Sequence, residues 1–411
     1  QPDHNTINDF RGKRLQDALK NIFTQVVELL VAEGVLSIKD IYVDGTKIES
    51  TSNRYTFVWG KAIQTNKEKM KKQLEELWQY TQKVAAEELD EPTPPDFTTI
   101  SKEKVTETID KIDKALSSKA EVSKQVKQKL NYAKKNWPAA LEKYEAQEKI
   151  LNGRNSYSKT DPDATFMRMK DDHMKNGQLK AGYNIQLSTS KQYVVDYSVH
   201  PNPTDTTTLP KHVEQHKTIY HQYPDSLTAD AGYGSEENYQ YLEDNQIEGF
   251  VKYSSFDKQQ STNHYKKNPF ATEHLHYNEQ KDCYYCPMGQ MMNCIGVYQK
   301  QTGTGFRQTI KKYRAQNCDG CPLRGVCHDS KYNRVIEVNH NLKRHKAIAK
   351  EKLNSEEGIE KRKQRCCDVE PVFGNIKSNH KFNRFMLRGK RKVTIEIGLL
   401  ALAQNLRKKA A

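Results

Sequence analysis

The stretch TADAGYGSEEN, residues 228–238, decides the predicted fold. A short apolar run leads into it, two glycines bracket a tyrosine, and Ser235 is followed by two glutamates. Serine is a favourable N-cap, and acidic residues in a first helical turn interact well with the helix dipole. The pattern therefore predicts a buried strand that ends near Asp230, a turn, and a helix that begins after Ser235.

Strand patterns recur on both sides of this stretch. They are IKDIYVDGTKIES (38–50), YNIQLSTS (183–190), YVVDYSVH (193–200) and GFVKY (249–253). The two-residue link between the second and third is typical of a β-hairpin. With the intervening helices, this order predicts a mixed α/β sandwich. Ligands of such sheets gather at the carboxyl ends of strands, where we place both Asp44 and Asp230.

Helical periodicity predicts the remaining elements. A helix covers 6–33, with Gly34 as its C-cap. Two Lys/Glu-rich helical arms, at 63–90 and about 105–130, flank the Pro-rich segment EPTPPD (91–96). We interpret them as a long antiparallel helical hairpin inserted after the first strand, which serves as a solvated spacer.

The charge balance narrows the class of partner. The 411 residues include 66 Lys+Arg against 52 Asp+Glu, a formal net charge of +14. Such an excess favours a polyanion, most often nucleic acid, although a basic soluble surface is the alternative. The sequence has neither an apolar run long enough to span a membrane nor a secretion signal, so we expect a cytoplasmic protein. Because the chain begins at Gln1, we also expect it to be a fragment or a processed chain.

Carboxylates gathered at strand ends repel each other unless a cation neutralises them. Mg²⁺ prefers oxygen ligands and also binds phosphate, so the pattern favours a two-metal phosphodiester site with a third acidic ligand. The best third candidate is Glu370 in DVEPVFGNIKSNHKF (368–382). Because proline is tolerated chiefly in a first helical turn, Pro371 predicts that this helix begins near Asp368.

The motifs in their order resemble bacterial insertion-sequence transposases of the DDE type. The resemblance rests on VDGTKIES, GYNIQL, TADAGYGSEEN, VEPVFGNIK and the late apolar IEIGLLALAQNL, and it covers essentially the whole chain. It implies a ribonuclease-H-like mixed sheet with flanking helices, interrupted by the helical hairpin and by a Cys-rich insertion. It also implies a catalytic triad of Asp44, Asp230 and Glu370 that holds Mg²⁺ or Mn²⁺.

The same resemblance implies an activity and its partners. The expected reaction is Mg²⁺-dependent cleavage and strand transfer of an insertion sequence in the bacterial nucleoid. The partner is double-stranded DNA, both element ends and target, bound by a homodimer. The residues expected to contact DNA are Arg365, Lys377, Lys381, Arg388 and Lys390. Cys366 stands where the family pattern has an arginine, and we expect Arg365 to substitute for it.

The resemblance also suggests how the chain divides. The predicted segments are 1–35, the end of an N-terminal helical, DNA-binding domain; 36–60 and 155–255, the first parts of the core; 61–154, the helical insertion; 256–350, the Cys-rich insertion; and 351–411, helices that complete the catalytic core.

Eight cysteines in a cytoplasmic chain indicate metal binding or free thiols rather than disulfides. Six lie between the second aspartate and the glutamate, and four of them suffice for a tetrahedral structural Zn²⁺. Because similar transposases carry a comparable Cys-Pro, then Cys-x2-Cys-Pro arrangement, the candidate ligands are Cys286, Cys318, Cys321 and Cys327, with His328 as a further candidate. Reduced structural thiols are the alternative.

Other interpretations of the acidic residues stay open. Asp230 and Asp44 each precede a turn or a glycine and so fit turn-forming aspartates. Glu370 fits an exposed acid at a helix N-terminus. At the level of function, the alternatives are a ribonuclease-H-like nuclease without strand transfer and a catalytically lost, zinc-stabilised DNA-binding remnant of a mobile element.

Overall fold

The computed structural model describes residues 2–89, 95–98, 100–117, 119, 122–169, 178–261 and 269–411. The α-helices are α1 His4–Asp9, α2 Leu15–Ala32, α3 Gly60–Val84, α4 Lys102–Ser117, α5 Lys124–Leu151, α6 Leu209–Tyr220, α7 Glu236–Asp244, α8 Phe256–Gln259, α9 His340–Asn354, α10 Glu356–Gly374 and α11 Lys390–Ala410. The strands are β1 Asp40–Glu49, β2 Phe57–Trp59, β3 Ser156–Ser158, β4 Thr165–Arg168, β5 Leu179–Ser190, β6 Tyr193–His200, β7 Ser226–Ala229, β8 Glu248–Val251, β9 Tyr277–Asn278, β10 Cys283–Tyr285, β11 Met291–Gln301, β12 Arg307–Ala315 and β13 Val335–Val338. The fold is mixed α/β, as predicted.

The chain divides into two compact units. Unit 1 comprises 1–48, 184–385 and 391–411, and unit 2 comprises 49–183 and 386–390. The predicted Pro-rich break at 91–96 lies largely outside the described residues.

The central sheet of unit 1 has the strand order β6-β5-β1-β7-β8. Strands β1, β7 and β8 are parallel, and Val43 pairs in register with Ala229. Strands β5 and β6 form the predicted antiparallel hairpin. Both residues of its turn, Lys191 and Gln192, have positive φ. That conformation matches the right-handed twist of the flanking strands and makes a two-residue link sufficient.

Two predicted signals for helix ends are also confirmed in unit 1. Gly34, just past the end of α2, has φ 71°, a conformation that glycine adopts without steric cost. The Ser235 side chain accepts a hydrogen bond from the Asn238 N–H and caps α7. Helix α2 is anchored in the core of the unit, where the rings of Phe23 and Tyr197 meet edge to face with centroids 5.0 Å apart.

The predicted start of the glutamate-bearing helix is wrong. Helix α10 begins at Glu356, and Pro371 lies inside it. Because Pro371 has no N–H, the carbonyl of Cys367 one turn earlier loses its usual helical donor. The side-chain amide of Gln192 donates to that carbonyl instead, at 3.0 Å. The Gln192 N–H also donates to Asp368 Oδ1 at 3.1 Å. A residue of the β5–β6 turn thus provides the hydrogen-bond donor that the helix lacks at Pro371.

Unit 2 is mostly helical, but it does not contain the predicted two-arm hairpin. The second arm is divided between α4 and α5, so unit 2 has three long helices among its described residues. Their shared core is apolar and includes Trp78, Ile112 and Trp137. Strand β2 pairs with β3, and β4 pairs with the first residues of β5.

The Cys-rich part of unit 1 forms a second sheet. Its strand order is β13-β12-β11-β10-β9, and its pairs are antiparallel. Its core includes Tyr284, Met292, Tyr313 and Ile336. No helix in the described part of the chain is long and apolar enough to cross a membrane.

Candidate active site

Asp44 and Asp230 lie side by side at the edge where β7 ends. They directly follow the in-register pair Val43 and Ala229 of two parallel strands, whose spacing is about 4.8 Å. Asp230 comes just after the end of β7. Asp44, however, is within β1, which continues to Glu49 and corrects the expectation of a strand end there. Neighbouring parallel strands therefore bring the first two predicted catalytic residues together.

One oxygen of each carboxylate accepts a hydrogen bond from the backbone of the turn that follows it. Asp44 Oδ1 accepts from the Gly45 N–H at 2.7 Å, and Asp230 Oδ1 accepts from the Gly232 N–H at 2.8 Å. The turn-forming role considered for both residues is thus present. It fixes the orientation of each carboxyl group and leaves each Oδ2 to face another partner.

Arg365 faces Asp44 from α10. Its Nη1 lies 3.3 Å from Asp44 Oδ2, and both side chains are mostly shielded, with 14% and 13% exposed. Shielding from water strengthens the attraction between the two charges. Arg365 was expected to contact DNA, and in this structure it pairs with Asp44, the first residue of the predicted triad.

A buried tyrosine shows how closely the acidic residues gather. Tyr233 is fully buried, and its hydroxyl donates to Gln186 Oε1. Burial raises the pKa of Tyr233 well above its ordinary value, and the negative charges of Asp205, Asp44 and Asp230, in that order, raise it further. Three carboxylates therefore act on one buried side chain.

Asp205, which was not among the predicted site residues, lies in the 3-10 turn Asp205–Thr207 after β6. Its Oδ1 accepts hydrogen bonds from Asn184 Nδ2 at 2.7 Å and from Gln186 Nε2 at 2.9 Å. The available signal was its position: an acidic residue a few positions beyond a predicted strand, in NPTDTTTL. The prolines and threonines around it made a plain loop the simpler interpretation.

Glu370 does not join this group. It is exposed on α10 and makes no hydrogen bond or ion pair with any residue that the structure describes. In the same ranges, no set of three or more His, Cys, Asp or Glu side chains is arranged to hold a metal ion. The structure brings together two of the three predicted triad members.

The other predicted DNA contacts are spread over the end of the chain. Lys377 is half-buried in the π-helical turn Asn375–Asn379, and Lys381 is exposed with φ 52°. Within unit 2, Arg388 Nε donates to the Thr51 carbonyl at 2.7 Å, and the Lys390 N–H donates to Asp163 Oδ2 at 2.8 Å. Arg388 therefore has a structural contact of its own.

The donor set at Asp44 and Asp230 fits a hard divalent cation. The ligands are carboxylate oxygens, which Mg²⁺ and Mn²⁺ prefer. Gly45 and Gly232 follow the two aspartates and present no side chain toward an approaching phosphate. Arg365 already shows that this position attracts a positive charge.

Four cysteines line one small cavity in the Cys-rich part. The cavity measures about 20 Å³, and its walls include the four predicted zinc ligands, Cys286, Cys318, Cys321 and Cys327, together with His328. That volume is about the size that one water molecule needs. Cys283, which is fully buried, and Cys294, on β11, do not line the cavity.

Tight turns and a buried cation shape this cavity. The Cys286 carbonyl accepts from the Gly289 N–H, and the Cys318 carbonyl accepts from the Cys321 N–H. Arg334 is only 8% exposed, and its Nη1 donates to Cys327 Sγ at 2.9 Å. The guanidinium group of Arg334 therefore contacts one of the four predicted zinc ligands directly.

The last third of the chain matches a known protein family. Residues 285–410 match the family model described as a transposase DDE domain. This match confirms the resemblance to DDE-type transposases and supports a transposase-type function. It includes Arg365, Glu370 and the four cavity cysteines, and it begins after Asp44 and Asp230. No curated protein and no solved structure matches the chain.

Proposed function

We propose that the protein is a DNA transposase that cuts DNA at the ends of its own element and joins them to target DNA, with Mg²⁺ or Mn²⁺ as cofactor. The observation that carries this function is the in-register pair of Asp44 and Asp230 on parallel strands of a mixed sheet. The transposase DDE domain at 285–410 supports it, as does the net charge of +14. We infer that the mixed sheet is the ribonuclease-H-like core.

The residues of the site have separate tasks. Asp44 and Asp230 would hold the cation, which supplies Lewis-acid polarisation of the phosphodiester when bound. The turn bonds from Gly45 and Gly232 keep the two carboxylates oriented before DNA arrives. Arg365 neutralises Asp44 and is positioned to contact a phosphate once that carboxylate takes another partner.

Two in-line displacements at phosphorus make up the proposed reaction. Water attacks first, which breaks one P–O bond at the element end and frees a 3′-hydroxyl. That hydroxyl then attacks a target phosphodiester, so one P–O bond forms and one breaks in each step. No covalent bond to the protein is needed. We propose that two copies of the chain act together, since an element has two ends.

Glu370 remains our proposed third acid. It follows Arg365 by five residues on the same helix, a distance of about 7.5 Å along the axis. Five residues at about 100° each also turn Glu370 roughly 140° away from Arg365 around the axis of α10, which agrees with its exposed position. The proposal therefore requires α10 to rotate when DNA or metal binds, so that the three acids come together.

The test uses Asp44→Asn, Asp230→Asn and Glu370→Gln, with Asp225→Asn as the matched control. Asp225 is an exposed aspartate just before β7 that forms a surface ion pair with Lys39. The substrate is a plasmid that carries the DNA flanking the gene. Each active-site variant should lose Mg²⁺-dependent cleavage and keep or improve DNA binding, because removing a carboxylate lessens the repulsion of phosphates. The control should behave as wild type.

Different outcomes correct different parts of the proposal. Normal cleavage by Asp230→Asn would overturn the mechanism. Normal cleavage by Glu370→Gln alone would remove only the third ligand. Cleavage by the wild-type protein without joining of ends would favour the nuclease alternative.

We also propose that Cys286, Cys318, Cys321 and Cys327 hold a structural Zn²⁺. Their shared cavity supports this, and so do the tight turns at Cys286 and Cys318. Purified protein should contain about one Zn²⁺ per chain, and a chelator should unfold residues 280–330 first. Cys283→Ser is the matched control, since Cys283 is fully buried and does not line the cavity. Metal analysis that finds no zinc would favour the reduced thiols and leave the carboxylate site untouched.

A further inference from the structure

We infer that Asp205 is a positioning residue that sets the spacing of Asp44 and Asp230 and adds a third negative charge beside the cation they bind. This inference rests on the proposed function. Asp205 belongs to neither strand that carries the two aspartates, because it follows β6 in a separate turn. Its placement beside both of them therefore comes from packing, and the contacts that produce it are specific.

The first contacts hold Asp205 in place. Asn184 and Gln186 lie two residues apart and so share one face of β5, the strand next to β1. Both side chains donate a hydrogen bond to Asp205 Oδ1. Both amides are fully buried. The Tyr233 hydroxyl donates to Gln186 Oε1, which directs the NH₂ group of that amide toward Asp205. Buried, fully paired polar groups of this kind fix a side chain in one orientation.

The second contacts connect Asp205 to the backbone after each aspartate. A Cβ added at Gly45 would lie 2.5 Å from Asp205 Oδ1, so a larger residue there would force the Asp205 side chain to move. A Cβ added at Gly232 would lie 3.5 Å from Asp205 Oδ2. The neighbouring Thr206 hydroxyl donates to the Gly232 carbonyl at 2.9 Å. The carboxylate is thus wedged between the segment after Asp44 and the segment after Asp230.

The third observation concerns charge. Among the carboxylates, Asp205 contributes most to the raised pKa of Tyr233, ahead of Asp44 and Asp230. Its Oδ1 has two donors, whereas its Oδ2 has none among the residues that the structure describes. The unsatisfied oxygen lies on the Gly232 side. A negative charge at this place strengthens the attraction of the site for a divalent cation.

The test is Asp205→Asn, which keeps the size of the side chain and removes its charge. Mn²⁺ affinity is measured without DNA, from the loss of the free-ion electron paramagnetic resonance signal. The Mg²⁺ concentration for half-maximal cleavage is measured alongside. We expect both to change by about 10–100-fold, the usual effect of residues that support metal ligands. Thermal unfolding and DNA affinity should stay at wild-type values, as they should in Asp225→Asn.

A second variant keeps the inference testable if Asp205→Asn does not fold. Asn184→Ser removes one donor and leaves the charge, so Mn²⁺ affinity should fall less, by about 2–10-fold. Wild-type Mn²⁺ affinity in a folded Asp205→Asn, or in Asn184→Ser when the first variant is unfolded, would overturn the role of Asp205. A wild-type protein that binds Mn²⁺ but cleaves no DNA would instead overturn the proposed function, since Mn²⁺ affinity is measured independently of cleavage.

Discussion

Acid should destabilise unit 1 chiefly through the buried side chain of His212. His212 is fully buried on α6, between Ser188 Oγ, 2.7 Å from Nε2, and Ser198 Oγ, 2.7 Å from Nδ1. Burial lowers the pKa of His212 to about 4, although the negative charge of Asp196 opposes this effect. The folded state therefore keeps the ring neutral, while the unfolded chain protonates it near its ordinary pKa of 6.5.

The sign and size of the effect follow from this difference. The stability due to the neutral ring is fully present above pH 6.5 and is lost progressively as the pH falls toward 4. The difference between about 4 and 6.5, at ~1.4 kcal/mol per pH unit, corresponds to roughly 3 kcal/mol in total. About 2 kcal/mol of this is lost by pH 5. Burial also lowers the pKa of the neighbouring His216, which acts in the same direction.

Hydrogen exchange of the β6 peptide measures the effect in unit 1. The protection factor of its amides should fall by about 30-fold or more between pH 7.5 and pH 5. The three tryptophans, Trp59, Trp78 and Trp137, all lie in unit 2, so their fluorescence reports that unit separately.

Two variants decide whether His212 is responsible. His212→Gln should flatten the pH dependence of β6 protection, because glutamine does not titrate. His221→Asn, an exposed residue with φ 57° that asparagine also tolerates, should leave it unchanged. An undiminished pH dependence in His212→Gln would refute the assignment.

Three further predictions concern packing, the turn and DNA. Gly398→Ala should destabilise unit 1 by about 1–3 kcal/mol in urea unfolding, because the new Cβ would lie 2.8 Å from Leu19 Cδ2. Gly374→Ala, with open space around it, should instead stabilise by up to ~1 kcal/mol, and a loss there would contradict the packing argument. Gln192→Met should cost about 1–3 kcal/mol, because the Cys367 carbonyl loses its donor; unchanged stability would mean that water replaces the amide. DNA affinity should fall by orders of magnitude between about 50 and 200 mM salt, and an affinity insensitive to salt would count against phosphate contacts.

Local signals predicted the elements that local forces decide. The Ser235 cap, the Gly34 C-cap and the two-residue β5–β6 link depend on a few neighbouring residues, and all are confirmed. The adjacency of Asp44 and Asp230 also followed from the sequence, since both were placed at the carboxyl ends of strand patterns in one mixed sheet.

Contacts distant in sequence explain what could not be predicted. Proline inside a helix is unfavourable because it removes a backbone donor. The sequence near Pro371 does not indicate that the side chain of Gln192, 179 residues away, replaces that donor. Asp205 is likewise distinguished only by its partners Asn184 and Gln186 on another element. The exposed position of Glu370 depends on the rotation of α10 about its axis. That rotation is set by the packing of the whole helix against the adjacent elements.

The strand order of unit 1 has a consequence for how the protein is made. Strand β1 is the middle of the sheet, yet its neighbour β7 begins at Ser226, and most of unit 2 is encoded between them. A ribosome that adds about 5–20 residues per second needs roughly 10–35 seconds to reach β7 after finishing β1. During that time the apolar residues of β1 lack their parallel neighbour, so the nascent chain exposes an unpaired strand that chaperones recognise. Asp44 and Asp230 therefore come together only after more than half of the chain has been synthesised.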